Sequence, residues 1–358
     1  MSQIHNFSAG PSILPKEAIE ASIEGLRNFK NTGLSVVEIS HRSKQWEETM
    51  EEMRQLIKSL LHIPNNYDVI FLGGGASHQF TMIPQNLLPV NGKAAYLKTG
   101  TWAANATKEA KFWGNVQIVG DSEDKNYNYI PKGYEIPSDA AYFHITTNNT
   151  IFGTEMHHIP DSPIPIVADM SSDIFSCPID IEKYGLIYAG AQKNMGPAGV
   201  TVLIIRNDML GKAGREIPTM MDYRTHIKGE SMYNTPPVYP IYLSYLTLKW
   251  LEGIGGVPAI QKINQEKGHV LYSEIDRNPL FYGTTEVEDR SLMNVVFRGI
   301  DEKIETEFLK LAESRLISGL KGHRSVGGFR ASTYNALPLE SVKFLVETMQ
   351  EFEKSYQG

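Results

Sequence analysis

Residues Leu186–Gly199 read LIYAGAQKNMGPAG, an apolar run that passes straight into a segment with one proline, three glycines and a single lysine, Lys193. A second apolar run, Val200–Ile205 (VTVLII), follows at once, so the lysine lies between two expected strands rather than on a polar helix face. Most lysines are solvated surface residues. One held in a glycine-rich turn between buried strands can lose its proton by desolvation or through a neighbouring cation, as a Schiff-base nucleophile requires. Gly190, Gly196 and Gly199 would let the backbone fold tightly around something bulky.

Outward from this point the chain alternates between strands and helices. Helical spacing covers Lys16–Lys30 and Ser43–Ile63. In the second stretch Trp46, Met50, Met53, Ile57 and Leu60 recur every three or four residues and form one apolar stripe. Strands are predicted at Asp68–Leu72, Ala94–Lys98, Val116–Val119, Ala141–Thr146 and Ile164–Ala168, with a helix at Trp102–Trp113. Short apolar runs separated by helices predict an α/β fold, a mostly parallel sheet covered on both faces. After Pro240 the texture becomes α+β. Helices are predicted at Ile241–Glu252, Val257–Asp276, Glu302–Ser318 and from Leu339, with strands at Met293–Arg298 and Phe329–Thr333. Turn-forming residues cluster at Gly253–Pro258 (GIGGVP). The chain therefore divides into an N-terminal segment, 1–15, a large domain, 16–255, and a small C-terminal domain, 256–358.

A chain of 358 residues with 34 Lys+Arg against 41 Asp+Glu carries a formal charge of −7. That surplus argues against general nucleic-acid or membrane-surface binding, while a local basic site stays open. The single cysteine, Cys177, excludes an intrachain disulfide and a Cys-based zinc site, so a reducing, cytoplasmic home is expected. No metal site is expected, because His157-His158 has no third ligand at zinc spacing. Neither a targeting segment nor a membrane span stands out.

Other residues give the lysine company. Asp169 ends the apolar run Pro165–Ala168, at the strand edge where open α/β sheets bind ligands. An aspartate there serves equally well as a turn or helix cap. Lysine and carboxylate on successive strands make a pair suited to pyridoxal phosphate, the first for the aldehyde and the second for the ring nitrogen. Gly73-Gly74-Gly75-Ala76-Ser77 follows a strand and precedes a helix, a place where N–H groups and a hydroxyl can receive phosphate. It matches neither nucleotide-binding glycine pattern. Trp102 opens the next helix and is placed either to stack on a ring or to pack in the core. His41-Arg42, His323-Arg324 and Arg330 are bases in loops, surface charge or anion forks.

Taken together, these motifs resemble the phosphoserine aminotransferases, fold-type I (aspartate-aminotransferase-like) pyridoxal phosphate enzymes of class V. The resemblance runs from Asn6–Pro11 (NFSAGP) to Ala331–Leu339 (ASTYNALPL). Its most specific blocks are Ser40–Lys44 (SHRSK), Tyr188–Gly199, Met232–Pro237 (MYNTPP) and Lys321–Ser332 (KGHRSVGGFRAS). It implies Lys193 as the lysine bonded to pyridoxal 5'-phosphate, Asp169 at the ring nitrogen, Trp102 stacked on the ring and Thr150 at the ring hydroxyl. Ala76, Ser77 and Gln192 match phosphate-binding positions. Asn234 and Thr235 match a pair that reaches the cofactor of a neighbouring subunit, hence a homodimer with shared sites. His41, Arg42, His323, Arg324 and Arg330 match substrate-binding positions, and the N-terminal segment is implied to lie near the site.

The implied activity is reversible amino transfer from L-glutamate to 3-phosphohydroxypyruvate in L-serine biosynthesis, with 4-phosphohydroxythreonine in pyridoxine biosynthesis as a further candidate. One departure stands out. Some members carry an arginine directly after the glycine run, where this chain has Ala76-Ser77-His78. Alternatives on the same fold are an alanine–glyoxylate type enzyme, or a non-catalytic phosphometabolite-binding protein. A cysteine desulfurase would need a cysteine after Cys177, and there is none.

Overall fold

Strand β9 (Tyr184–Gly190) buries all seven of its residues, and its apolar side chains alternate between two faces of a sheet. Ile187 and Ala189 enter one core, while Leu186 and Tyr188 enter another. The computed structural model describes residues 4–356 and builds the rest of the fold around this strand. Before it come β1 (His5–Asn6), α1 (Lys16–Arg27), α2 (Lys44–Leu60), β2 (Tyr67–Leu72), α3 (Gly75–Leu87), β3 (Lys93–Lys98), α4 (Thr101–Ala110), β4 (Asn115–Asp121), β5 (Phe143–Thr146), β6 (Asn148–Asn149), β7 (Thr154–Glu155) and β8 (Ile166–Asp169). After it come β10 (Thr201–Arg206), α5 (Tyr223–Lys228), α6 (Val238–Gly253), α7 (Gly256–Arg277), β11 (Phe281–Gly283), β12 (Asn294–Gly299), α8 (Glu302–Ser314), β13 (Ile317–Ser318), β14 (Phe329–Ser332) and α9 (Leu339–Ser355).

The central sheet has seven strands in the order β2-β10-β9-β8-β5-β3-β4. Only β10 runs against its neighbours, pairing antiparallel with both β2 and β9. The carboxyl ends of β2, β3, β4, β5, β8 and β9 therefore share one edge, and β10 starts from that same edge. Helices α2 and α6 cover one face; α3 and α4 cover the other. The stripe expected on α2 is real: Trp46, Met50, Met53 and Ile57 are fully buried, and Leu60 packs at its margin. Ser43 caps this helix, its hydroxyl accepting from the Trp46 N–H.

A second, smaller core gathers β11, β12 and β14 under α7, α8 and α9. At its centre the rings of Phe281, Phe297, Phe308 and Phe329 pack with centroid separations such as 4.9 Å for Phe297–Phe329. Helix α7 begins in one core, through Val257 and Ile260, and ends in the other, through Leu271 and Ile275.

The helix expected over Glu302–Ser318 stops at Ser314. Leu316 takes a left-handed backbone, and Ile317–Ser318 leave to pair with His5–Asn6 at the other end of the chain. Helical periodicity carries no sign of that long-range partner. Phe7 follows this pairing into the smaller core, where it is fully buried. The N-terminal segment then runs on to the lysine turn, with the Ser12 N–H donating to the Gln192 carbonyl at 3.0 Å. Phe7→Ala is expected to cost about 3–5 kcal/mol in equilibrium urea unfolding, since the ring has no solvent-facing edge to lose. A cost within the scatter of surface substitutions would show that the segment is not part of this core.

Candidate active site

The loop from β9 to β10, Ala191–Val200, leaves the shared sheet edge and returns to it, with Gly190 paired to Thr201. Its tightness has a steric cause at Gly196, where a Cβ would stand 2.1 Å from the Ser244 Oγ of α6. The turn presents Lys193, half-buried, with its Nζ donating to Thr150 Oγ1 at 2.6 Å. The same Nζ lies 5.8 Å from the centroid of the Trp102 ring, at the first turn of α4. Thr150 is buried just beyond β6, and its carbonyl accepts from Arg330 Nη1 at 3.1 Å. The structure thus brings Lys193, Thr150, Trp102 and Arg330 together from four separate parts of the chain.

Asp169 ends β8, one strand from β9, and is buried. Its carboxylate accepts from the Ser171 hydroxyl at 2.6 Å and the Ser171 N–H at 3.0 Å. The Ser171 hydroxyl also accepts from the Gly190 N–H at 3.1 Å, which ties the aspartate's turn to the strand that carries Lys193. On the same edge, α3 opens from Gly74, whose left-handed backbone (φ 89°) and close approach to His78 leave no room for a side chain. No side chain caps this helix, so its first N–H groups, beside Ala76 and Ser77, are free to bind an anion.

The electrostatics follow from burial. Desolvation lowers the Lys193 amine to about 8; Asp169 opposes this shift and the nearby Arg330 charge adds to it. Burial raises the Asp169 carboxyl, against hydrogen bonds from Ser171 and the charge of Lys193. His323 is lowered by burial and then by the positive charges of Arg330 and Arg324, so these three bases form one cluster.

The other expected residues fall elsewhere. Gln192 folds its amide back over Gly190, where a Cβ would stand 2.7 Å from its Oε1. His41 Nδ1 lies 3.3 Å from Thr235 Oγ1, with Arg42 and Asn234 exposed beside them. Among the described residues, no hydrogen bond joins this group to Lys193, Asp169 or Thr150. Sequence reasoning missed Ser171, although the Asp-x-Ser spacing of a local side-chain turn was there to be read. It also missed a role for Asn194, which lies inside the Tyr188–Gly199 block and whose side chain is buried beside Lys193.

The family profile described as Aminotransferase class-V matches residues 4–345. The phosphoserine aminotransferase of Flavobacterium psychrophilum is 59% identical over 351 residues, covering 98% of both chains. The chain belongs to the class-V aminotransferases, within the phosphoserine aminotransferase family. The crystal structure of the phosphoserine aminotransferase from Bacillus circulans subsp. alkalophilus superposes with a TM-score of 0.96 at 44% identity, covering 99% of each chain. That of the PLP-bound enzyme from Trichomonas vaginalis gives 0.92 at 40%, covering 97% of this chain and all of that one.

In this class-V aminotransferase the depressed lysine can be tested directly. Below a pH of about 8 Lys193 carries an ammonium, and above it a free amine. Acylation of Lys193 in the cofactor-free protein, followed by peptide mass, is expected to rise with a midpoint near that pH. Arg330→Gln should move the midpoint up and Asp169→Asn should move it down. A midpoint at the ordinary lysine value would contradict the desolvated site.

Proposed function

We propose that this chain transfers the amino group of L-glutamate to 3-phosphohydroxypyruvate, reversibly, giving O-phospho-L-serine and 2-oxoglutarate with pyridoxal 5'-phosphate as cofactor. The observation that carries the reading is the Lys193 amine, half-desolvated beside Thr150 and Trp102, with Asp169 one strand away. The residues present fit that cofactor. A Cβ at Gly73 or Gly75 would meet nothing within 4 Å, so there is open room in front of the uncapped helix for a phosphate. The buried Asp169 carboxylate suits a protonated ring nitrogen, and Trp102 offers an apolar face.

When bound, the cofactor supplies a carbonyl carbon to carry the amino group and a ring that takes up electrons from the substrate's Cα–H bond. The chain supplies positioning and proton transfer. Lys193 Nζ would carry a proton between the substrate's Cα and the cofactor's carbonyl carbon, work that suits an amine brought near neutrality. Ser171 holds the Asp169 carboxylate in place through two hydrogen bonds. Arg330 binds the substrate's α-carboxylate, close to both Thr150 and Lys193. His41, Arg42, His323 and Arg324 receive the far end of the substrate, a carboxylate in one half-reaction and a phosphate in the other. Arginine forks accept either group. Where some members of the family carry an arginine after the glycine run, His78 stands over Gly74.

The same reading includes a homodimer with shared sites. Asn234 and Thr235 serve the cofactor phosphate of a second copy, and His323 and Arg324 its substrate. Leu34 and Val37, 47% and 59% exposed, precede His41, and Tyr233, 51% exposed, precedes Asn234. Exposed apolar side chains beside exposed site residues are what a covered face requires. The reaction is placed in cytoplasmic L-serine synthesis, with 4-phosphohydroxythreonine as a second phosphorylated substrate. No described helix is long and apolar enough to cross a membrane.

A half-reaction titration tests the assignment. Glutamate and phosphoserine should each bleach the visible band of the lysine-bound cofactor, while serine and alanine should be slower by about a hundredfold or more. Serine reacting as well as phosphoserine would remove the phosphate site. Lys193→Ala should lose both the band and turnover, and normal turnover in that variant would sink the reading.

A further inference from the structure

Lys267, near the middle of α7, is fully buried and, among the described residues, has no carboxylate partner. Its Nζ donates to three backbone carbonyls, those of Thr333 and Tyr334 at 2.8 Å and that of Leu337 at 3.3 Å. An ammonium has three N–H bonds, and here each has an acceptor; a neutral amine would leave one carbonyl unserved. Burial alone pushes the group down, to about 7. Removing a charge from water is costly, so the turn 333–337 is fastened by an expensive device. An apolar side chain would have filled the same space.

What the turn touches suggests why. The Asn335 N–H donates to Asn194 Oδ1 at 2.8 Å, and Asn194 directly follows Lys193. Asn194 Nδ2 in turn donates to the Ile174 carbonyl at 2.8 Å. The Tyr334 hydroxyl donates to the Ala9 carbonyl at 2.8 Å, next to Gly10, where a Cβ would be 3.4 Å from Lys193 Cγ. The turn also continues from β14, which carries Arg330. One buried ammonium thus gathers the piece of chain that flanks the reactive lysine on two sides.

We propose that Lys267 is a positioning residue for amino transfer, acting through the 333–337 turn and Asn194 on Lys193. The inference rests on the amino-transfer reading above. The test uses the holoenzyme and its Lys267→Met, Asn194→Ala and doubly substituted variants. For each, the single-turnover rate with glutamate and the pH midpoint of the visible cofactor band are measured. Lys267→Met should slow the single turnover by about tenfold, a loss typical of a slightly misplaced reacting group. It should also shift the band's midpoint, which a merely looser fold would leave in place. The double variant should be no slower than the slower single one, because both act on one path.

Lys267→Gln, which keeps two N–H donors, should fall between wild type and Lys267→Met and serves where Lys267→Met does not fold. A rate within about twofold of wild type in the folded Lys267 variants, or fully additive losses in the double variant, would overturn the inference. So would a normal rate in Asn194→Ala, since the turn's contact with the lysine loop would then have no effect. Should glutamate fail to bleach the wild-type band at all, the amino-transfer reading itself fails. Equal bleaching in wild type and variants removes only the role of Lys267.

Discussion

Keeping a lysine amine in a place dry enough to lower its proton affinity, with a carboxylate near but not bonded to it, is the constraint on which the rest depends. A direct ion pair would have held Lys193 charged. Instead its hydrogen bond goes to the neutral hydroxyl of Thr150, Asp169 is held by Ser171, and Arg330 adds a positive charge on the other side. Desolvation then outweighs the attraction of the carboxylate. The sheet makes this possible. One antiparallel strand, β10, turns the chain back at the edge where the other six strands end, so the lysine turn is clamped at both ends.

The charge distribution is read in the same terms. On a body with a net charge of −7, Arg42, His323, Arg324 and Arg330 are the bases proposed above to receive substrate. Three of them are close enough that Arg330 and Arg324 lower His323.

Two distant stretches converge on the lysine turn, and a third fastens one of them. The N-terminal segment arrives from the smaller core, where Phe7 anchors it, and touches the turn through Ser12. The 333–337 turn arrives from the same core and touches Asn194. Helix α7 spans both cores and carries the ammonium that fastens that turn. The larger sheet supplies the site's floor, and the smaller core supplies much of what holds its lysine in register.

The sequence by itself determined the mostly parallel sheet, the stripe of α2 and the choice of Lys193 and Asp169 as the pair to examine. These are local signals: short apolar runs, helical spacing of three to four residues, and a lysine and an aspartate at strand ends. The four motif blocks named the family for the same reason, since each is contiguous. Only tertiary structure decided the pairing of β1 with β13, which ended α8 early, because partners at opposite ends of a chain leave no periodic trace. It alone decided the contacts by which Thr150, Trp102 and Arg330 meet at Lys193, and that Lys267, one lysine in a helical run, is buried with no counter-ion among the described residues. Burial and hydrogen bonding belong to the packed chain, and they set the proton affinities on which the chemistry rests.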